Sequence, residues 1–319
     1  MNLKFRNYIF RFSANYRIGS GHLFHILSLY KILYNEKDSF SFILYDCDKF
    51  VEDALKSKNI EFISEDDLSV QLKAHYKDGY QNIIINDVLN TDAETIISQK
   101  LLGFKVVNIE DLGSGAKEAD ILINALYSKI DGIKNQYIGP DYTILREEFQ
   151  KIRDTFDYEQ NNLVLISFGG IDSNQITESV YKEIVKKEIP FKIIQPPFRS
   201  IDINRKHLLK PPVQMAETMS KARLLITSMG RTVFEAGSLG IPVLSIAQNK
   251  RESNHIKNYL DFINYFGVHS EVNFKEVIDN MVEIYNDNET LNYQRESLLK
   301  LVDFNGSKRI KKIIESIEQ

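Results

Sequence analysis

The sequence predicts an α/β protein made of two successive parallel-sheet units that face each other across a cleft. Three observations carry this prediction. Short apolar runs alternate with segments of helical periodicity along the chain, the pattern of parallel strands joined by crossover helices. Several runs end in glycine turns that open into a helix, at Gly19, Gly169 and Gly230. The 319 residues exceed the usual size of one core, and the pattern restarts after a charged, asparagine-rich stretch. The expected domains are 1–153 and 160–319, with a linker over about 154–161.

In the first half, residues 8–12 (YIFRF) read as a strand. A loop at 13–18 follows, and GSGH at 19–22 opens a helix with apolar positions Leu23, Ile26, Leu27, Tyr30 and Leu33. Further strands are expected at 40–45, 60–63, 82–86 (NIIIN), 105–109 and 120–124, with a helix near 67–77. Residues 139–149 (GPDYTILREEF) turn into another helix. The second half begins with a buried strand at 163–168 that runs into Gly169-Gly170-Ile171-Asp172, where Asp172 can cap a helix over 174–187. A strand at 191–194, the polar stretch 195–212 and a short helix at 215–222 lead to the most informative segment. Helices near 274–286, 289–301 and 306–317 complete the chain.

That segment is a strand at 224–227, the turn Ser228-Met229-Gly230, a helix from Arg231 to the C-cap Gly240, and a strand at 243–246. Gly230 allows the backbone to approach a ligand, and the first amides of the helix, with its positive dipole end, suit phosphate. Thr232 can add a hydroxyl donor, and Glu235 can accept hydrogen bonds from a ribose diol. An N-capped helix in an ordinary α/β domain would carry the same pattern.

In the first half, His22 stands in the first turn of a helix behind Gly19 and Gly21. The helix N-terminus favours neutral imidazole, the form that acts as a base. A histidine that merely caps its own helix is the alternative. His22 and His25 also make an HxxH pair on one helix face, but no third metal ligand is evident, so no metal is expected. The Asp46-Cys47-Asp48 motif reads as a cap for the following helix. Asp87, Glu110 and Asp111 follow the C-terminal ends of strands, the edge at which open α/β sheets bind ligands.

Composition narrows the function classes. A net charge of −4 gives no general attraction to nucleic acid or anionic membranes. Cys47 is the only cysteine, so an intrachain disulfide and a thiolate metal cluster are excluded. No signal-peptide pattern or apolar run of transmembrane length is present, so a cytoplasmic protein without membrane insertion is expected.

The segments IGSGH (18–22), GPDYTILREEF (139–149), ISFGGID (166–172), MAETMSKARLLITSMGRTVFE (215–235) and GIPVLSIAQN (240–249) occur in one order across nearly the whole chain. In this the chain resembles the UDP-sugar hydrolase of pseudaminic acid biosynthesis and related spore-coat and surface-polysaccharide proteins, which share the GT-B fold with MurG-like glycosyltransferases. The resemblance implies two Rossmann-like domains and no cofactor. The implied substrate is a UDP-linked amino-deoxy sugar of the diacetamido-trideoxy-altrose type. It makes His22 the base that activates water, places the diphosphate at Gly230 and Thr232, and puts Glu235 on the ribose. Asp172 would line the cleft. Gly19, Gly21, Asp87, Asp111, Gly170, Ser228, Arg231, Asn254 and His255 complete the expected substrate contacts. The chain departs from the hydrolase at His25, where that family carries arginine, and in the longer segment 249–255 (NKRESNH). A glycosyltransferase of the same fold and a non-catalytic nucleotide-sugar-binding subunit are the alternatives.

Overall fold

The computed structural model describes residues 5–155, 158, 161–170, 172, 174–196, 199–211, 213–255 and 260–317. The chain forms two compact units, Met1–Ile144 with Asn305–Gln319, and Leu145–Phe304. Each is built on one parallel sheet.

In the first unit the strands are β1 (Arg6–Phe12), β2 (Ser39–Leu44), β3 (Ile63–Ser64), β4 (Gln81–Asp87), β5 (Lys105–Ile109), β6 (Ile121–Asn124) and β7 (Gln136–Ile138). They lie in the order β3-β2-β1-β4-β5-β6-β7. Helices α1 (Gly21–Leu33), α2 (Lys49–Lys56), α3 (Leu68–His75) and α4 (Ala93–Leu101) provide crossovers. Alternation along β1 explains the layering. Tyr8, Phe10 and Phe12 belong to one apolar cluster with Leu23, Ile26 and Leu29 of α1, and Ile9 belongs to another with Leu72 of α3 and Ile96 of α4. Strands covered on both faces are apolar where they meet the helices, as at 8–10 of β1 and 83–85 of β4, while their buried polar residues are paired: Asn7 with Asn82, Arg11 with Glu65, and Asn86 with Gln99 and Asn108.

The second unit starts with α5 (Glu147–Arg153). It continues through β8 (Leu163–Ser167), α6 (Ile176–Ile184), β9 (Phe191–Ile194), β10 (Leu208–Leu209), α7 (Met215–Met219), β11 (Ala222–Thr227) and α8 (Thr232–Leu239). Then come β12 (Val243–Ala247), α9 (Lys250–His255), β13 (Asn264–Val268), α10 (Phe274–Asn286) and α11 (Asn288–Leu301). The sheet order is β10-β9-β8-β11-β12-β13, again all parallel. Gly240 ends α8 in the left-handed region at φ 66°, as its place after the helix predicts. No described helix is long and apolar enough to cross a membrane.

Strands β7, β10 and β13 were not expected from the sequence, and β3 falls at 63–64 rather than 60–63; two features of domain organisation differ as well. The units divide at Ile144 and Leu145 rather than over 154–161, of which residues 156, 157, 159 and 160 lie outside the described set. The last helix, α12 (Gly306–Glu315), belongs to the first unit, not the second. The reason is packing. Ile310 and Ile314 are buried in the cluster of β1 and α1. Lys311 donates to Ile32 O at 2.8 Å, and Gln81 Nε2 donates to Ile317 O at 2.6 Å. A Cβ on Gly306 would stand 2.1 Å from Thr143 O, so only glycine allows this approach. Ile310→Ala should therefore destabilise the first unit by about 2–5 kcal/mol, read by denaturant unfolding of the full chain. Unchanged stability would mean that the C-terminal helix is not part of that core.

Candidate functional site

In a sheet of this order the chain reverses direction between the first and fourth strands. The loops after those strands therefore part toward opposite faces and leave a crevice at the C-terminal edge. In the first unit this point lies between β1 and β4, whose ends Phe12 and Asp87 are register partners.

The loop after β1 is tightly organised. Asn15 Oδ1 accepts from the amides of Arg17 and Ile18 at 2.8 and 3.0 Å, and Asn15 Nδ2 donates to Asp46 O at 2.9 Å. Gly19, at φ 87°, donates its amide to Asn15 O at 2.8 Å. Asp48 precedes α2, but its carboxylate accepts from Tyr16 N at 2.5 Å instead of capping that helix. The Asp46-Cys47-Asp48 motif thus braces the loop that delivers Gly21 and His22 into the first turn of α1.

There the central arrangement forms. His22 Nδ1–H donates to Asp87 Oδ1, and His25 Nδ1–H donates to Asp87 Oδ2 at 3.2 Å. Asp87 is 0% exposed, and both histidines are buried. Burial alone would raise the Asp87 carboxyl, but the charge and hydrogen bond of His22, then those of His25, hold it well below the usual carboxylate range. A carboxylate on Nδ1 fixes the proton there and makes Nε2 the basic nitrogen of His22. Asp87 was expected to touch substrate. Its two oxygens face the two histidines. Among the described residues no group of three His, Cys, Asp or Glu could hold a metal ion.

Asp111 differs from its expected role as well. Its oxygens accept from Thr91 N at 3.1 Å, Gly113 N at 2.7 Å, Thr91 Oγ1 at 2.6 Å and Asn108 Nδ2 at 2.7 Å. These bonds use the carboxylate to join the loops after β4 and β5. Gly113 and Gly115 are glycines because a Cβ would lie 2.0 and 2.1 Å from atoms of Thr91. Glu110 is buried nearby, with Oε1 accepting from Ala125 N at 3.1 Å.

In the second unit the switch lies between β8 and β11, where Ser167 and Thr227 are partners. Ser228, Met229, Gly230 and Arg231 follow β11 and lead into Thr232, the first residue of α8. Gly230 has no positive φ, and a Cβ there would meet no atom of the described residues within 4 Å. Neither strain nor packing of this unit requires the glycine. Gln248 Nε2 donates to Phe168 O at 3.2 Å and to Ser228 Oγ at 3.4 Å, joining the ends of three strands. Glu235 lies one turn into α8 with a 17% exposed side chain. Its Oε1 accepts from Arg146 Nε and Nη2 at 2.9 and 2.8 Å. Burial raises the Glu235 carboxyl and Arg146 opposes that shift.

Asp172 serves as a cap. Its oxygens accept from Ile176 N at 2.8 Å, Thr177 N at 2.9 Å and Arg199 Nη2 at 2.9 Å. These bonds tie the end of β8 to the start of α6; Gly170 is half-buried in the same turn, and Ile171 lies outside the described residues. Asn254 is exposed on α9. His255 is buried and donates from Nδ1 to Met229 O at 2.9 Å, and Glu252 accepts from the Met229 amide. The two side chains, one turn apart on α9, hold the Met229 residue by its N–H and its C=O. His255 therefore supports the turn through its Nδ1.

The sequence reading missed Asn15, Arg146, Gln248 and Glu252. Arg146 carried a signal, because it lies in the GPDYTILREEF segment, and Glu252 shares a helix face with His255. Gln248 lies in the GIPVLSIAQN segment, and Asn15 carried no signal.

Burial pushes His255 from 6.5 down to about 4, with Arg251 and Arg231 adding to the shift and the Met229 bond opposing it. An imidazole held neutral stabilises the fold fully above the unfolded value, and that contribution is lost as pH falls from 6.5 toward 4. Proton NMR should show His255 titrating near 4, and His255→Gln should flatten this part of the stability profile. Titration near 6.5 would mean that the His255 ring is not buried in solution.

Two parallel units, each of the doubly wound order and each with a shaped turn at its switch point, define the GT-B class. The solved structures agree. Over 98% of this chain and all of the other, MurG of Acinetobacter baumannii superposes with a TM-score of 0.70 at 13% identity. The glycotransferase of kitacinnamycin reaches 0.63 at 13% identity, covering 98% of this chain and 99% of that one. Anabaena HepE, solved in complex with UDP-glucose, reaches 0.62 at 11% identity, covering 97% and 100%. No protein-family model matches the chain. It is 29% identical over 275 residues to an uncharacterized protein of Methanocaldococcus jannaschii, covering 76% of this chain and 56% of that protein. It is 25% identical over 202 residues to the spore coat polysaccharide biosynthesis protein SpsG of Bacillus subtilis, covering 56% of this chain and 60% of SpsG. The chain therefore spans less than two thirds of the length of these curated relatives.

Proposed function

We propose that the chain is an enzyme of surface-polysaccharide biosynthesis that passes the glycosyl group of a UDP-activated sugar to a hydroxyl acceptor. The observation that carries this reading is the His22–Asp87 pair at the switch point of the first sheet. His22 Nε2 takes the acceptor's O–H proton as that oxygen attacks the anomeric carbon. The bond from that carbon to the diphosphate oxygen breaks, and UDP departs. Asp87 stabilises the imidazolium that forms, as a buried carboxylate on Nδ1 does in other base dyads. The second unit supplies the nucleotide site. Amides at the start of α8 and the Thr232 hydroxyl stabilise the charge that grows on the departing diphosphate. Glu235, steadied by Arg146, accepts from the ribose. The glycotransferase and the UDP-glucose complex among the structural neighbours support the donor class, and SpsG supports the polysaccharide setting.

Water as the acceptor is the second reading, releasing a free amino-deoxy sugar. The ordered motifs shared with the UDP-sugar hydrolase favour it. Phosphorus NMR of the purified protein with a panel of UDP-sugars, with and without acceptor sugars, separates the two. The panel includes UDP-linked diacetamido-trideoxy-altrose. UDP release should require an acceptor, and His22→Ala should slow it by about 10²–10⁴-fold while UDP still binds. Acceptor-independent release that is lost in His22→Ala would select hydrolysis. No UDP binding by the wild type would overturn both.

The nucleotide site has its own test. Gly230→Ala places a methyl group where the protein itself leaves space. Thermal stability should be unchanged or slightly raised, by at most about 1 kcal/mol. UDP affinity should fall on the order of ten-fold, the scale on which about 1.4 kcal/mol of lost contact acts. Unaltered UDP affinity would place the diphosphate elsewhere.

A further inference from the structure

The His22–Asp87 pair leaves one buried group unused. His25 lies one turn after His22 on the same face of α1, and its Nδ1 reaches the other oxygen of the same carboxylate at 3.2 Å. The two imidazoles do not stack on each other: their centroids are 6.4 Å apart with planes at 69°. What links them is Asp87. We infer that His25 is a positioning residue for the His22–Asp87 pair, holding Oδ2 so that Oδ1 stays aimed at His22 Nδ1. The inference rests on the reading of His22 as the base.

The physical case has three parts. An aspartate side chain turns easily about its terminal bond, because that torsion is broad and nearly two-fold. One donor on one oxygen does not stop this swing, whereas a second donor on the other oxygen does. Asp87 is also sealed from water, so each oxygen needs a protein donor, and an unfilled oxygen would compete for the proton that orients His22. Lastly, an imidazole can donate its N–H without carrying a permanent positive charge. Lysine or arginine at this place would neutralise Asp87 and weaken its support for the imidazolium of His22. Histidine fixes the carboxylate and leaves its charge to be used.

The test compares His25→Ala and His25→Asn in the full chain, measuring kcat and KM for UDP-sugar turnover, UDP affinity and thermal stability. His25→Ala should lower kcat on the order of ten-fold, the scale on which groups that orient a reacting side chain act. KM and UDP affinity should stay near the wild-type values. His25→Asn, whose side-chain amide can donate to Oδ2, should recover most of kcat. In the background of Asp87→Asn, removing His25 should cost no further activity, because both act through one carboxylate. Unchanged kcat in His25→Ala, or kcat that merely follows stability in both variants, would overturn the inference.

A second measurement keeps it falsifiable when no substrate turns over. Nitrogen-15 NMR of the histidine side chains should show His22 protonated at Nδ1 in the wild type, with its downfield Nδ1–H proton visible. In His25→Ala that proton should broaden or disappear. Its persistence, unshifted, would show that Asp87 holds His22 without His25. Wild-type protein with this tautomer but without any UDP binding would count against the proposed function, not against the clamp.

Discussion

Parallel pairing is the constraint on which everything else in this molecule depends. Adjacent parallel strands cannot be joined by hairpins, so each must be followed by a crossover, and every strand-to-helix loop emerges at one edge of its sheet. In the first sheet the order reverses beside β1, which makes β4 its neighbour although β2 and β3 lie between them in sequence.

 The result is that Phe12 and Asp87 stand side by side as register partners, and His22 meets a carboxylate 65 residues away. The second sheet repeats the logic with Ser167 and Thr227, so the turn at 228–231 emerges beside the turn at the end of β8. Both candidate sites are consequences of topology before they are consequences of side-chain chemistry.

Side-chain chemistry then decides which strand-end acid matters. Asp87, Asp111 and Asp172 are all buried, and a bare carboxylate in each place would be prohibitively costly. Asp111 is satisfied by backbone amides, a hydroxyl and a carboxamide, and Asp172 by two helix amides and Arg199. None of these donors changes its charge near neutral pH, so the two acids fasten loops and helices. Asp87 alone of the three is held by imidazoles. An imidazole can gain a proton during a reaction, and the carboxylate beside it then stabilises the charge it has gained. On the proposed mechanism the same residue type serves structure in two places and chemistry in the third, according to its donors.

This also explains how far the sequence could be read. Local signals were enough for the alternating strands and helices, the glycine turns and the placement of His22 in a first helical turn, because each is written within a few neighbouring residues. The partners were not legible. Whether Asp87 faces a ligand or a histidine depends on the register of β1 against β4, and whether Asp172 lines a cleft or caps α6 depends on where Arg199 returns. The last helix looked like part of the second domain because it follows that domain in sequence. Only the seating of Ile310 and Ile314 against α1, with Gly306 against Thr143, assigns it to the first.

The glycines show how structure can separate two explanations that sequence leaves together. Gly113, Gly115 and Gly306 each face an atom of Thr91 or Thr143 at which a Cβ would collide, so the fold itself accounts for them. Gly230 faces none of the described residues and has an ordinary backbone conformation, so they do not account for it. Yet the turn that carries it is not loose. Glu252 and His255 grip Met229 from α9, and Gln248 ties Ser228 to the end of β8. A turn held this firmly around a residue with no internal reason to lack a side chain is a backbone surface kept bare and rigid, which is what close approach by a phosphate requires.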